Sequence, residues 1–115
     1  MHKFDLENRT LEFSSRIIFL VNKLSKNIVN TSLCSQIVRS GTSVGVNYRE
    51  ANASLGDKDF LMKVRICKKE AMETLYWLKL LLVNNQSFSD ELNNLIDENE
   101  QLVKIFSAII LKRNV

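Results

Sequence analysis

The absence of proline constrains the fold of this chain more than any other feature of its sequence. None of the 115 residues is proline, whereas average usage would give about six. Glycine, the other residue that favours turns, occurs only three times. Such a chain is poorly suited to a sandwich or barrel of many short strands. We therefore predict long helices that form one domain over residues 1–115, large enough to bury a core without disulfides or metal ions.

Apolar residues recur at helical spacing in four segments. The clearest series lies in residues 58–83, where apolar positions follow one another at intervals of three or four. The same spacing predicts helices at about 10–26, 32–53 and 89–112. Asn30, Thr31 and Ser32 are candidate N-caps for the second helix, and Asp57 is one for the third. Short polar connections between the helices predict an all-α, antiparallel up-down-up-down four-helix bundle.

The same periodicity predicts which side chains face the core. Gly41 and Gly45 lie beside the apolar stripe of the second helix, four residues apart, and we interpret them as a place where a neighbouring helix packs closely. The predicted core residues are Phe13, Ile17, Leu20, Leu24, Leu33, Ile37, Val44, Tyr48, Ala51, Phe60, Val64, Cys67, Ala71, Leu75, Leu78, Leu82, Leu92, Ile96, Leu102, Phe106 and Ile109.

Several classes of protein are excluded by what the sequence lacks. Its apolar runs are far shorter than the ~18 residues of a membrane-spanning helix, and residues 1–5 carry charges instead of the apolar segment of a signal peptide. We therefore expect a cytoplasmic protein that does not enter a membrane. Cys34 and Cys67 belong to no Cys-x-x-Cys motif, and with the single histidine His2 they cannot supply four zinc ligands.

Motifs for catalysis are also missing. The sequence contains no Gly-x-Ser-x-Gly, His-Glu-x-x-His or Glu-x-x-His pattern, and its only imidazole stands at residue 2. Glu70 and Glu73 are three residues apart on the third helix, but charged pairs at this spacing are usually solvated. We expect a protein that is not an enzyme and that uses no metal ion or cofactor.

Positive charge is concentrated in the first three quarters of the chain. Residues 1–84 hold 13 basic and 8 acidic residues, whereas residues 85–115 hold 3 basic and 5 acidic residues. Five cations of the third helix fall within an arc of roughly 100°, away from the apolar stripe. This arc is either a solvated face or a surface that binds the phosphates of a nucleic acid. The predicted nucleic-acid-binding residues are Arg39, Arg49, Lys58, Arg65, Lys68 and Lys69. For Arg49, together with Glu50, the alternative is a structural ion pair that holds helices together.

Large apolar residues also lie outside the predicted core. They are either scattered surface residues or contacts between copies of the chain. One of them, Tyr76, could instead stack on a nucleic-acid base if it is exposed. The predicted oligomer interface is Val46, Leu61, Met72, Tyr76 and Trp77.

One segment carries a resemblance to a known family. Residues 39–52 read Arg-Ser-Gly-Thr-Ser-Val-Gly-Val-Asn-Tyr-Arg-Glu-Ala-Asn. This segment resembles the signature of the small bacterial four-helix-bundle proteins that are encoded in intervening sequences of 23S ribosomal RNA genes. Residues 9–13, 58–60 and 69–78 are also similar to the family, so the resemblance runs from about residue 8 to 112. The positions that match the signature are Arg39, Tyr48, Arg49, Glu50, Asn52, Glu70, Glu73, Tyr76 and Trp77.

The resemblance implies an assembly and a ligand. This family is similar in fold to the accessory variability determinant protein of diversity-generating retroelements, a barrel-shaped homopentamer with a basic surface that binds nucleic acid beside a reverse transcriptase. The resemblance therefore implies that this chain forms a homopentamer and binds structured RNA or DNA without catalysis. The alternative is a protein-interaction scaffold with no affinity for nucleic acid.

Overall fold

Four long helices run alongside one another and account for most of the chain. The computed structural model describes the backbone of residues 3–113 and the side chains of residues 5–113. The helices are α1 (Lys3–Lys23), α2 (Ile28–Asn52), α3 (Asp57–Asn84) and α4 (Ser89–Arg113), and one 3-10 turn (Gln86–Phe88) precedes α4. Each helix contacts the next, and α1 also contacts α4. The described part of the chain is an antiparallel four-helix bundle, about 45 Å long and 20 Å across, which confirms the predicted fold class.

The first residues of α1 and α2 lie about one turn or more before their predicted positions. Helix α1 begins at Lys3 instead of near residue 10, and its first turns bury Leu6 and Thr10. Helix α2 begins at Ile28 because Asn27 is its N-cap, accepting a hydrogen bond from the backbone N–H of Asn30 at 2.9 Å. The prediction that Asn30, Thr31 or Ser32 caps α2 is wrong. Helix α3 begins at Asp57 and has Gly56 as its N-cap, so the prediction that Asp57 caps α3 is wrong.

The predicted core is confirmed. Most of the predicted residues are fully buried, and the others, such as Phe60 and Ile109, are partly buried at its edge. Several buried residues were not predicted, because they lie beside the predicted stripes or, like Leu6, Asn30 and Asn85, outside the predicted helices. They are Leu6, Leu61, Leu81 and Leu95, together with the polar residues Thr10, Ser14, Asn30, Ser40, Thr74, Asn85 and Asn99.

Close packing of α1 on α2 takes place at the two glycines of α2. The Ser14 hydroxyl donates to the carbonyl oxygen of Gly41 at 3.1 Å. A Cβ atom on Gly45 would lie 3.2 Å from Oγ1 of Thr10, and one on Gly41 would overlap Cδ1 of Ile17. The interpretation of this glycine pair as a site of close helix packing is therefore confirmed.

Buried polar side chains connect neighbouring helices along the bundle. Asn30 on α2 and Asn85 after α3 exchange two amide hydrogen bonds of 2.9 and 2.8 Å. Near the middle, the Thr74 hydroxyl donates to Ser40 at 2.8 Å. When the Asn99 side-chain amide is oriented so that both of its polar atoms have partners, it donates to the carbonyl of Ala71 at 2.9 Å and accepts from the backbone N–H of Leu75 at 3.1 Å. Since an unpaired polar group in these positions would be costly, the three contacts favour one axial register of the helices.

Candidate nucleic-acid interface

The side of α3 that points away from the core is a single stripe of exposed residues. Its members follow one another at intervals of three or four along the helix, over about 37 Å. Cations alternate in it with large apolar side chains, and no carboxylate is among its members. We call this stripe the α3 outer face; it comprises Lys58, Met62, Arg65, Lys69, Met72, Tyr76, Lys79 and Val83, all of which are exposed.

The cations of the bundle fall into two groups. Six of them form ion pairs, and every pair joins two neighbouring helices. These paired cations are Arg9, Lys23, Arg39, Arg49, Lys63 and Arg113. By contrast, five cations of α3 have no carboxylate within ion-pair distance among the side chains of residues 5–113. They are Lys58, Arg65, Lys68, Lys69 and Lys79. Four other cations of the described residues are also unpaired, but they are spread over α1, the α1–α2 connection and α4; they are Arg16, Lys26, Lys104 and Lys112. The α3 outer face and its edge therefore hold the largest group of unpaired cations.

The two predicted binding residues of α2 belong to the paired group. Arg39 donates to Glu70 at 3.2 Å and also to Glu73, both on α3. Arg49 donates to Glu7 of α1 at 3.2 Å. The alternative interpretation of Arg49 as part of an interhelical ion pair is therefore confirmed, and the structure shows that Arg39 forms such pairs as well.

Glu50, the acidic neighbour of Arg49, has a partner on another helix. It accepts a hydrogen bond from Lys63 of α3 at 2.8 Å. Both residues are partly exposed, so the pair adds little stability by itself. Together with the arginine pairs, it ties α2 to the helices on both sides.

A shallow depression lies in the N-terminal half of the α3 outer face. It has a volume of about 340 Å³ and is lined by Lys58, Met62, Arg65, Ile66 and Lys69. Two of these side chains are apolar and three are cationic. The structure thus brings together three of the predicted binding residues around one apolar surface, while Lys68 lies half-buried at its edge.

The predicted oligomer interface is only partly exposed. Leu61 is 8% exposed, so its assignment to an outer interface is wrong. It stands three residues before the buried Val64, at the margin of the stripe that packs inward. Trp77 is half-buried against the core, and its indole N–H has no acceptor among the described residues.

The other predicted interface residues are on the surface. Val46, Met72 and Tyr76 each expose more than half of their area. Tyr76 meets the ring of Trp77 edge-on, with 5.2 Å between the ring centroids. Two of the three, Met72 and Tyr76, therefore lie on the α3 outer face among its unpaired cations.

Sequence reasoning missed a second exposed apolar surface, on α1. Leu11, Ile18 and Phe19 are 55%, 45% and 70% exposed. The spacing of seven residues between Leu11 and Ile18 puts them on the same side of the helix. Ser15, which lies between Leu11 and Ile18 on this side, is uncharged. Phe19 instead lines a depression together with the charged residues Arg16, Lys23 and Glu91. All three residues lie within the helix predicted at about 10–26, so a helical wheel of that segment would have indicated this surface.

Other kinds of site find little support among the described residues. No helix within residues 3–113 has the length and apolar character needed to cross a bilayer. The same residues contain no cluster of three or more histidine, cysteine or acidic side chains that could hold a metal ion. Burial raises the pKa of Cys67 to about 12 and also raises that of Cys34, so both thiols are weak nucleophiles. His2 lies outside the described residues.

Comparison with known proteins identifies the family. Residues 2–108 match the family described as 23S rRNA-intervening sequence protein. The chain belongs to this family. Among solved structures, it is similar to a protein of unknown function from the S23 ribosomal protein family of Bacteroides thetaiotaomicron. The two are 35% identical over 90% of this chain and 96% of that one, with a TM-score of 0.78. No curated protein matches the chain.

The contacts of residues 39–52 explain physically what the signature residues of this family do in the fold. Beyond the ion pairs of Arg39, Arg49 and Glu50, the Asn52 amide donates to Glu7 at 2.7 Å, and Tyr48 is buried against Phe106. In this member of the 23S rRNA-intervening sequence family, the polar signature residues of α2 therefore hold neighbouring helices together. The surface that carries unpaired charge lies on α3.

Proposed function

We propose that this protein is a non-enzymatic, homo-oligomeric helical bundle that binds structured RNA or DNA through the α3 outer face. The observation that carries the proposal is the division of the cations. The charges that hold the bundle together are paired, whereas Lys58, Arg65, Lys68, Lys69 and Lys79 have no carboxylate partner among the described residues.

Unpaired cations in a row suit a polyanion. The five residues extend over roughly 32 Å of helix, so several phosphates can be contacted at once. Each contact releases a counterion from the nucleic acid, which gives affinity without any requirement for sequence. Arg39 and Arg49 would first have to leave their carboxylates, so we assign the phosphate contacts to the cations of α3.

Self-association is the second part of the proposal, in the form of the pentameric ring that the family resemblance implies. In a ring, each contact joins two different surfaces of neighbouring copies, so the cationic α3 outer face would need an anionic surface opposite it, and a contact between two such faces would bring like charges together. The surface of α1 has no row of like charges, because the charges beside its apolar residues, such as Glu12 and Arg16, are of both signs. It offers Leu11, Ile18 and Phe19 for burial. We therefore assign the contact between copies to α1 and expect Val46 of α2 to contribute to it.

A charge-reversal experiment tests the binding surface. Arg65→Glu with Lys69→Glu should weaken binding of labelled RNA and make it less dependent on salt, because two phosphate contacts are lost. The matched control is Lys104→Glu with Lys112→Glu, which changes the net charge equally but alters exposed cations of α4. Fluorescence anisotropy at several salt concentrations measures both quantities. Equal losses in the two double variants would show that only net charge matters and would remove α3 from the site.

The alternative function is a scaffold that binds another protein through its exposed apolar residues. The 70% exposure of Phe19 favours this candidate. Apolar docking hardly responds to ionic strength, whereas phosphate binding weakens steeply with salt. A protein that associates with a partner protein at high salt and ignores RNA at low salt would support the scaffold.

A further inference from the structure

The α3 outer face carries more than charge. Met62, Met72 and Tyr76 are 53%, 54% and 59% exposed, and each stands one turn or less from an unpaired cation. A surface evolved only to attract phosphates has no need of large apolar side chains between its cations. The alternation indicates a ligand that is anionic and also presents apolar surface at the same points.

Unpaired nucleotides have both properties. Their phosphates are charged, and the faces of their bases are apolar and free to stack on aromatic rings. In a duplex the same faces are stacked inside the helix, so Tyr76 would gain nothing from them. We propose, on the basis of the proposed function, that the α3 outer face binds a single-stranded stretch of nucleic acid, with one base stacked on Tyr76.

The depression at the other end of the face fits a second nucleotide. Met62 and Ile66 supply its apolar surface, and the cations Lys58, Arg65 and Lys69 line the same space. A volume of about 340 Å³ falls within the range of small-molecule sites. A base against the two apolar side chains leaves its phosphates beside the cations. Met62 and Tyr76 are fourteen residues apart, about 21 Å along the helix, so one strand passes over both.

A second copy of the chain fits this face less well. Tyr76 lies between Lys69 and Lys79 along α3, and neither cation has a carboxylate partner among the described residues. Covering Tyr76 with the same face of another copy would desolvate these charges and set them against like charges. A nucleic-acid strand neutralises them instead.

The test separates the contribution of the Tyr76 ring from that of charge, and compares single-stranded with double-stranded nucleic acid. Binding of labelled oligouridylate and oligodeoxythymidylate of about 20 nucleotides is measured against a duplex of equal length, at fixed salt. The variants are Tyr76→Ser, which removes the ring, and the matched control Tyr76→Phe, which keeps it. Because stacking contributes about 1–3 kcal/mol per base, Tyr76→Ser should weaken single-strand binding roughly 5- to 150-fold, with an unchanged salt slope. Tyr76→Phe should bind as the parent does.

The structure also supplies an internal reporter. Trp77 is the only tryptophan, and its ring lies against Tyr76, so its fluorescence should change when a single strand binds. Equal affinity for duplex and single strand, or no loss in Tyr76→Ser, would overturn this inference and leave the proposed function standing. A Tyr76→Ser variant of lower assembly mass in light scattering would also overturn it, since Tyr76 would then lie between copies. Absence of binding to all three probes would instead refute the proposed function itself.

Discussion

Gly41 shows how a single absent side chain sets the distance between two helices. It lies where α1 crosses α2, and the Ser14 hydroxyl reaches its carbonyl oxygen at 3.1 Å. Glycine costs a helix about 1 kcal/mol relative to alanine, so its presence in the middle of α2 needs a compensating contact. That contact is the fully buried Ile17, whose Cδ1 occupies the space of the missing Cβ.

Gly41→Ala should destabilise the bundle in a way that depends on Ile17. Overpacking costs about 1–3 kcal/mol, which exceeds the helix-propensity gain, so we expect a net loss of about 1 kcal/mol in the free energy of unfolding by urea. Ile17→Val removes Cδ1 and should relieve the overlap, so the double variant should lose less than the sum of the single variants.

A matched control for this cycle exists at Gly56. No atom lies within 4 Å of a Cβ built at that position, so Gly56→Ala adds the same methyl group without contact. Its effect should add to that of Ile17→Val without coupling. Additive losses in the Gly41 cycle as well would contradict the packing explanation.

At the scale of the helices, α2 and α3 are joined by polar contacts along their whole length. Asn30 and Asn85 pair at one end, Ser40 and Thr74 near the middle, and Lys63 reaches Glu50 towards the other end. The first two contacts are buried and the last is partly exposed. The buried amide pair closes the end of the bundle at which the α1–α2 connection meets the end of α3.

Asn30→Ala should therefore cost more than an ordinary surface substitution. It leaves the side-chain oxygen of Asn85 and one of its two amide N–H groups without partners, while the other N–H still donates to Leu81. An unsatisfied buried group costs about 1–3 kcal/mol. We expect a loss of about 2 kcal/mol in chemical unfolding. Asn93→Ala, an exposed position of α4, should change the stability little. If Asn30→Ala with Asn85→Ala loses the full sum of the single losses, the two amides do not act as a pair.

The helices and the apolar core could be predicted from the sequence because the spacing of apolar residues within one helix shows which side of that helix is buried. Asn30 shows where such prediction ends. Its residue type favours an N-cap, and only the position of Asn85, 55 residues later, explains why it is buried inside α2. Leu61 was misassigned for the same reason, since the margin of a buried stripe depends on how the neighbouring helices are placed.

The candidate site divides in a similar way. The cationic arc of α3 could be found on a helical wheel. Which cations are paired could not, because Arg39 meets its carboxylates on α3 and Arg49 meets Glu7 on α1. Pairing across helices depends on tertiary structure, and it separates the structural arginines of α2 from the unpaired cations of α3.

For the whole molecule, the two surfaces proposed for different partners lie on different helices. The exposed apolar residues of α1 have charges of both signs beside them, such as Glu12 and Arg16, whereas the α3 outer face carries only positive charge. Association through the first should be insensitive to ionic strength, and binding through the second should weaken with salt. One sample can therefore report on both.

Light scattering at two salt concentrations, with and without total cellular RNA, makes this measurement. We expect a mass about five times the 13.3 kDa of one chain at both salt concentrations, and an added mass of RNA only at low salt. A 13.3 kDa species that ignores RNA would contradict both parts of the proposed function. An assembly of constant mass that ignores RNA would favour the scaffold.

The seam between α1 and α4 has the least contact of the four seams between neighbouring helices. Two ion pairs span it, from Arg9 to Glu98 and from Lys23 to Glu91, while the glycine contact fastens the opposite side of α1 to α2. Because α1 is packed closely on α2 and contacts α4 less, α1 should separate from α4 before it separates from α2. Partial unfolding should start there, and backbone amides of α1 should exchange with deuterium before those of α3. Neighbouring copies packed against α1 would oppose this separation, so assembly would stabilise the least stable helix contact of each subunit.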